Sequence, residues 1–240
     1  MFSTSTQRWF PWFMLFARFF LFAIVQGLIA FVFFLAGNSD PWNEAARWWL
    51  FSVITTNLIT IALLVRLFQA EGKRYLDIFH FERETVWKDL ALAFVAFLLA
   101  APIGAVPGNF LAGLLFGAAE TPAAMMFQPL PQWAILIGLL FPLTIAFAEL
   151  PTYFGYVMPR LEQQMGKSWP ALALAAAGLS LQHVALPLIF DWRFILWRAF
   201  MFLPFAVYLA LILKFRPRLL PYLAVCHFLI DLLALSTYTM

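Results

Sequence analysis

Four side chains inside apolar stretches carry the chemistry that this sequence offers. Glu149 lies within a long apolar run, and His183, His227 and Asp231 lie inside two later ones. A charged side chain near the centre of a bilayer costs about 2.5 to 3.5 kcal/mol on insertion scales, so such a residue is expected to face a cavity and a polar partner. His227 and Asp231 are four residues apart and therefore share one helix face. We expect all four side chains to meet in one site.

Three kinds of chemistry suit this set of residues. A carboxylate and an imidazole can hold a water molecule and take its proton, while a second imidazole and a carboxyl group can stabilise the oxyanion of an attacked peptide carbonyl. The same four side chains are also of the types that bind zinc. They could equally carry protons, as Asp, Glu and His do in transporters. Residue types and spacing alone leave the three alternatives open.

The composition decides the class of protein. Apolar residues make up 64% of the 240 residues and charged residues 11%, and the mean hydropathy is +0.87, which is far outside the range of soluble domains. The excess of Lys and Arg over Asp and Glu, 15 against 12, is too small to indicate nucleic acid binding. The single cysteine, Cys226, excludes an intramolecular disulfide and offers no metal-thiolate pattern. We therefore predict an all-α, polytopic integral membrane protein whose environment is the lipid bilayer.

One membrane domain is expected over residues 1–240, with N-terminal helices in 1–131 and the site-bearing part in 132–236. Each crossing takes roughly 20 residues, so the length suits about seven. The predicted crossings are 13–35, 48–67, one that starts near 90, 133–158, 169–190, 194–213 and 219–235. Pro102 and Pro107 interrupt the third crossing, and residues 110–116 are expected to form a short re-entrant or interfacial piece. Arg198, near one end of the sixth crossing, is expected to extend to the interface.

The loops predict the orientation. Lys and Arg collect in residues 66–88, at Arg160 and Lys167, and in residues 214–218, which are alternate connections of the chain. Because basic residues accumulate on the cytoplasmic side, we expect the N-terminus to be cytoplasmic. We expect the membrane to be the bacterial inner membrane.

Three short motifs in this order resemble those of one protein family. The stretch Glu149-Leu-Pro-Thr-Tyr-Phe-Gly-Tyr-Val-Met-Pro-Arg-Leu161 is similar to the first motif of the CPBP family, the CAAX prenyl endopeptidase type II and bacteriocin-processing membrane proteins. Leu179-Ser-Leu-Gln-His183 resembles the second motif, and His227-Phe-Leu-Ile-Asp231 resembles the third. The resemblance covers residues 133–235, and the preceding half is only generically similar.

The first two motifs depart from the family pattern at three positions. Leu150 replaces a second glutamate, Phe154 replaces an arginine and Leu179 replaces a phenylalanine. Losing the glutamate and the arginine together is self-consistent, because a buried arginine without its carboxylate would be an unpaired charge.

The resemblance implies an intramembrane endopeptidase that hydrolyses a peptide bond of a membrane-associated protein or peptide. Glu149 and His183 would activate water, and His227 with Asp231 would stabilise the oxyanion. We expect no required cofactor, although zinc is compatible with the donors, and a metal would bind the same four residues. The alternative is a catalytically inactive relative that acts as a membrane scaffold or binding protein. A proton-coupled transporter comes third, since it would be expected to show paired broken helices in two related halves.

Overall fold

The computed structural model describes residues 8–235 and 238, and the regular elements of this part of the chain are all helical. The α-helices are α1 (Phe10–Leu35), α2 (Pro41–Arg47), α3 (Trp49–Ala70), α4 (Val86–Phe116), α5 (Thr121–Met126), α6 (Gln132–Gly138), α7 (Leu140–Ala146), α8 (Met158–Met165), α9 (Ser168–Gln182), α10 (Trp192–Met201), α11 (Leu203–Phe215) and α12 (Leu220–Leu235). Short 3₁₀ helices lie at Tyr75–Phe79, His183–Ala185 and Pro217–Leu219, and a π-helix lies at Pro151–Val157. The predicted all-α fold is confirmed.

Six helical stretches of the described chain are long and apolar enough to cross a membrane. They are Phe10–Leu35, Trp49–Ala70, Val86–Phe116, Gln132–Met165, Trp192–Phe215 and Pro217–Leu235. The chain is an integral membrane protein. The crossing predicted at 169–190 corresponds to α9, which has 15 residues before the chain tightens into the 3₁₀ turn at His183. That is shorter than the roughly 20 residues of a full crossing.

Helix α4 runs without a break through the two prolines. It extends over 31 residues, with Pro102 and Pro107 inside it, and ends at Gly117, whose φ is 81°. The prediction that residues 110–116 form a separate re-entrant or interfacial piece is therefore wrong. Prolines are tolerated inside membrane helices, where the freed carbonyls are satisfied locally, so a Pro-Gly pattern there need not end a helix.

The helices differ in how much of their surface the protein covers. In the stretch Gln132–Met165, 56% of the most apolar window is buried, whereas the value for α4 is 17%. The stretch from α6 to α8 therefore lies at the centre of the bundle, and α4 lies at its edge. Helix α12 packs against both α7 and α4, and so lies between the centre and the edge.

Small residues allow α9 to lie close to its neighbours α1 and α11. Ala171, Ala175 and Ala176 are fully buried along α9. A Cβ added at Gly178 would lie 2.6 Å from Leu15 Cδ1 and 2.9 Å from Tyr153 Cε1. Small residues at such contacts let helix backbones approach closely in membranes. This close approach places the end of α9 next to the π-helix.

Candidate functional site

Glu149 lies between α7 and the π-helix and is 2% exposed. Pro151 has no N–H, so it cannot donate to the carbonyl of Phe147 four residues earlier. The hydroxyl of Tyr75 donates to that carbonyl instead. A second proline, Pro159, likewise frees the carbonyl of Gly155, and Arg160 Nη1 donates to it at 3.3 Å. π-helical turns are frequent at functional sites, and here the turn directly follows the buried carboxylate.

The four predicted site residues meet in one place, with His183 and His227 beside Glu149 and Asp231 beside His227. His183 Nε2 lies 3.7 Å from Glu149 Oε2, and His227 Nε2 lies 3.5 Å from Glu149 Oε1. Asp231 Oδ2 lies 3.2 Å from His227 Nε2 on the same face of α12. The structure therefore brings together four side chains from three parts of the chain around one carboxylate.

The protonation of the His183 ring follows from its neighbours. His183 Nδ1 lies 2.8 Å from the carbonyl of Leu179, so that nitrogen carries the proton and donates. In the neutral ring Nε2 then has a free lone pair that faces Glu149. The ring also contacts Phe202, with centroids 4.3 Å apart. His183 thus presents an acceptor to the site in a fixed orientation.

His227 lies between two carboxyl groups. Its Nε2 is close to both Glu149 and Asp231, whereas its Nδ1 and Asp231 Oδ2 are buried without hydrogen-bond partners among the described residues. The 3.2 Å approach of His227 to Asp231 is therefore close but not aligned as a hydrogen bond. An N–H at Nε2 would point into the space that the three side chains share, where it can donate to a bound group.

Two further polar side chains belong to the site, and the sequence analysis missed their roles. Gln182 Nε2 donates to Glu149 Oε2 at 2.6 Å. Arg18, fully buried in α1, donates from Nε to Gln182 Oε1 at 2.5 Å, and its Nη2 lies 3.9 Å from Glu149 Oε2. An isolated charge deep in an apolar helix is the signal that singled out Glu149, and the same signal marks Arg18.

Arg198 is buried, and the prediction that it extends to the interface is wrong. Its side chain donates from Nε to the carbonyl of His183 at 2.9 Å and from Nη2 to the carbonyl of Leu186. These carbonyls lie where α9 ends, and that of His183 also accepts the backbone N–H of Leu186 in the 3₁₀ turn at 3.1 Å. Arg198 therefore caps the end of α9 and holds the backbone that carries His183.

A small space lies beside the site in the described structure. An apolar crevice of about 10 Å³ is bounded by α4, α11 and α12, with Phe97, Phe205 and Cys226 in its walls and His227 beside it. That volume is about the size of one water molecule. Of the three crossings that bound this crevice, the one formed by α4 is the least buried.

The contacts around Glu149 bear on whether the site could hold zinc. The two histidines approach opposite oxygens of Glu149, and Gln182 points an N–H at one of these oxygens. Zinc requires donors at about 2.0 to 2.2 Å from one point. In the described residues no group of three or more His, Cys, Asp and Glu side chains has such an arrangement.

Comparison of the chain with family models, curated proteins and solved structures finds no match. The function must therefore be argued from the site and from the motif resemblance.

Proposed function

We propose that this protein is an intramembrane endopeptidase of the CPBP type that hydrolyses a peptide bond of a membrane-associated protein or peptide. Glu149 and His183 activate the water molecule, and His227 with Asp231 stabilises the oxyanion. The reaction needs no group beyond these side chains and water.

The relation between Glu149 Oε2 and His183 Nε2 carries this proposal. The two atoms are 3.7 Å apart, and both are acceptors, because His183 Nδ1 holds its proton toward Leu179. Two hydrogen-bond acceptors that face each other are both satisfied when a molecule between them donates a hydrogen bond to each. Water does this, and its oxygen is then left with lone pairs for attack on a carbonyl carbon.

The chemical steps follow from these positions. The water oxygen forms a bond to the carbonyl carbon of the peptide while Glu149 takes its proton. The carbonyl oxygen becomes an oxyanion, to which the Nε2–H of His227 donates. The C–N bond then breaks, and Glu149 returns the proton to the departing amine. The products are a new carboxyl terminus and a new amino terminus, and Glu149 is again a carboxylate.

Asp231 assists only in a form that can donate. A carboxylate beside an oxyanion repels it, whereas a protonated carboxyl or an amide donates a hydrogen bond. We therefore assign Asp231 to this step as a carboxylic acid that donates to the oxyanion beside the Nε2–H of His227.

The second candidate function is a membrane scaffold that retains the fold without catalysis. Its support is the burial of Glu149, at 2% exposed, together with the small size of the crevice beside His227. In that case the polar side chains would form only a hydrogen-bond network that holds the helices together.

New N-termini distinguish the two functions. The purified protein is reconstituted in liposomes with the total membrane proteins of an expression host, and newly formed N-termini are identified by mass spectrometry. Wild-type protein is expected to generate termini that Glu149→Gln does not, while the matched control Glu162→Gln, at an exposed glutamate of α8, generates them at the wild-type rate. Equal products from wild-type and Glu149→Gln protein would favour the scaffold.

The same assay tests whether cleavage depends on a bound metal ion. Treatment with a chelator is expected to leave the rate of terminus formation unchanged, and metal analysis of the purified protein is expected to show no stoichiometric zinc. Loss of activity with the chelator and its return with added zinc would contradict the metal-free arrangement.

We also propose that the protein lies in the bacterial inner membrane with its N-terminus in the cytoplasm, from the distribution of Lys and Arg among the loops. A cysteine introduced at the exposed Lys73 is expected to react with an impermeant thiol reagent only after the cells are opened. Reaction in intact cells would show that Lys73 faces the outside and that the orientation is the opposite one.

A further inference from the structure

The buried carboxylate of Glu149 requires a compensating charge, and one candidate lies beside it. A carboxylate removed from water is strongly disfavoured unless it is paired and hydrogen-bonded. His183 and His227 are within 4 Å but are charged only when protonated. Arg18 is the one permanently charged side chain within ion-pair distance of Glu149 among the described residues, with Nη2 at 3.9 Å from Oε2.

The arginine is itself held by interactions that lead to Glu149. Its Nε donates to Gln182 Oε1 at 2.5 Å, and its Nη1 lies 3.4 Å from the hydroxyl of Thr60. The Cζ atom of the guanidinium lies over the ring of Phe22, 5.1 Å from its centroid. Its Nη2 is buried with no hydrogen-bond partner in the described structure and is the nitrogen nearest to Glu149. The free donor of a fully buried cation is therefore directed at the site.

Gln182 connects the two charges in one orientation only. Its amide oxygen accepts from Arg18 and from the hydroxyl of Tyr153 at 3.3 Å. With the oxygen on that side, the amide nitrogen faces Glu149 and donates to Oε2 at 2.6 Å. Reversing the amide would place its NH₂ against two donors and its oxygen against a carboxylate, which is unfavourable on both sides.

We propose that Arg18 and Gln182 form a positioning pair that keeps Glu149 ionised and directs its remaining lone pairs at the two histidines. Arg18 supplies the charge and Gln182 supplies the hydrogen bond. Neither touches the reacting atoms. The inference deepens the proposed function, on which its catalytic consequence rests, but the ionisation of Glu149 can be measured without any substrate.

Infrared spectroscopy of the purified protein at neutral pH measures that ionisation. A protonated buried carboxyl group has a carbonyl band that a carboxylate lacks. A band that appears in Arg18→Gln is assigned to Glu149 if it is absent from the double variant Arg18→Gln with Glu149→Gln, and a band in wild-type protein is assigned by its loss in Glu149→Gln. We expect no such band in wild-type protein and its appearance in Arg18→Gln. Arg18→Lys, which retains a positive charge, is expected to resemble wild type. So is Arg66→Gln, which makes the same chemical change at an exposed position of α3. A Glu149 band in wild-type protein, or no band in Arg18→Gln, would overturn the inference.

Thermal stability provides a second test, which can be used even if Arg18→Gln folds poorly. Removing one member of a buried pair leaves an uncompensated charge, whereas removing both does not. The double variant Arg18→Gln with Glu149→Gln is therefore expected to have a higher melting temperature than Arg18→Gln alone. A double variant no more stable than the single one would contradict the charge pairing.

Kinetics tests the role of Gln182 once cleavage is established. Gln182→Met keeps the size of the side chain and removes its hydrogen bonds. Misplacing a catalytic group by about 1 Å can cost about 10²-fold in rate. We expect kcat to fall by about this factor while KM changes little. A rise in KM with unchanged kcat in Gln182→Met would overturn the positioning role but not the proposed hydrolysis. Absence of cleavage by wild-type protein would overturn the proposed function but not the infrared result.

Discussion

Arg160 and Glu71 form a two-point ion pair that ties the central stretch to the end of α3. Arg160 Nε lies 2.6 Å from Glu71 Oε1, and Nη2 lies 2.6 Å from Oε2. The guanidinium also lies 3.8 Å from the ring centroid of Tyr156, and Nη1 donates to the carbonyl of Tyr156 at 3.1 Å. Planar two-point pairing of this kind fixes geometry as well as contributing energy. The pair therefore holds the end of the π-helix that begins just after Glu149.

Breaking this pair is expected to loosen the π-helix. Contacting residues in one ion-pair network show coupling energies of about 0.5 to 3 kcal/mol. We expect about 1 kcal/mol or more between Arg160→Gln and Glu71→Gln in a double-mutant cycle of thermal stability. The control is the exposed pair of Arg74 and Asp77, 3.7 Å apart, for which the coupling should be near zero. Equal coupling in the two pairs would show that Arg160 has no special role.

The same pair makes stability depend on pH. Burial raises the pKa of the Glu71 carboxyl, but the hydrogen bonds and the charge of Arg160 outweigh burial and hold this pKa below its usual value of 4.5. Because the folded pKa is the lower one, the unfolded chain binds the proton first as the pH falls. The contribution of the pair is therefore complete above the unfolded pKa and is lost as the pH falls through the folded one.

We thus expect the melting temperature of wild-type protein to fall more steeply than that of Arg160→Gln as the pH is lowered from about 5 to about 3. Melting curves at several pH values measure this difference, with Arg74→Gln as the control variant. Parallel curves for wild type and Arg160→Gln would contradict the assignment.

Helices α9 and α1 are in such close contact that adding one methyl group between them is expected to destabilise the protein. Gly178→Ala places a Cβ against Leu15 and Tyr153, including the Leu15 backbone oxygen at 3.2 Å. Overpacking of this kind typically costs about 1 to 3 kcal/mol. Gly27→Ala is the matched change at a helical glycine with nothing within 4 Å, and it should be neutral or stabilising by about 0.5 to 1 kcal/mol. Thermal unfolding of both variants in detergent tests the contrast, and a stable Gly178→Ala would refute the tight packing.

The residues that the sequence identified correctly share one property. Glu149, His183, His227 and Asp231 are polar and deep in apolar stretches, and the helical rise alone places them at similar depth. Depth does not tell which sides of the helices face one another. The structure shows this, because it places His183 and His227 beside the Glu149 carboxylate and Asp231 beside His227.

The errors have a common physical origin in neighbours that are distant in sequence. Arg198 is near a helix end, where extension to the interface is the usual outcome. It is buried instead and donates to the carbonyls of His183 and Leu186, which lie just after the end of α9. Phe154 stands where the family motif has an arginine, but Arg18 supplies a buried guanidinium from α1, 131 residues before Glu149 in the chain. Pro102 and Pro107 suggested a break that the lipid-facing helix α4 does not have.

Asp231 is expected to act as a hydrogen-bond donor, and its substitutions test this. Asp231→Asn keeps a donor beside His227, whereas Asp231→Leu removes it at similar volume. Loss of one oxyanion donor costs about 10² to 10³ in kcat. We expect Asp231→Asn to retain most of the rate of terminus formation and Asp231→Leu to lose about this factor. If Asp231→Asn were as impaired as Asp231→Leu, a carboxylate rather than a donor would be required at this position.

The most direct test of the central claim is the fate of the water oxygen. Reconstituted protein is incubated with host membrane proteins in water enriched in oxygen-18, and the new carboxyl termini are examined by mass spectrometry. If Glu149 activates water, each new terminus carries oxygen-18, and the rate of formation falls by about 10² to 10⁴ in Glu149→Gln. Formation of the same termini at the wild-type rate by Glu149→Gln, or termini that carry no oxygen-18, would contradict the account.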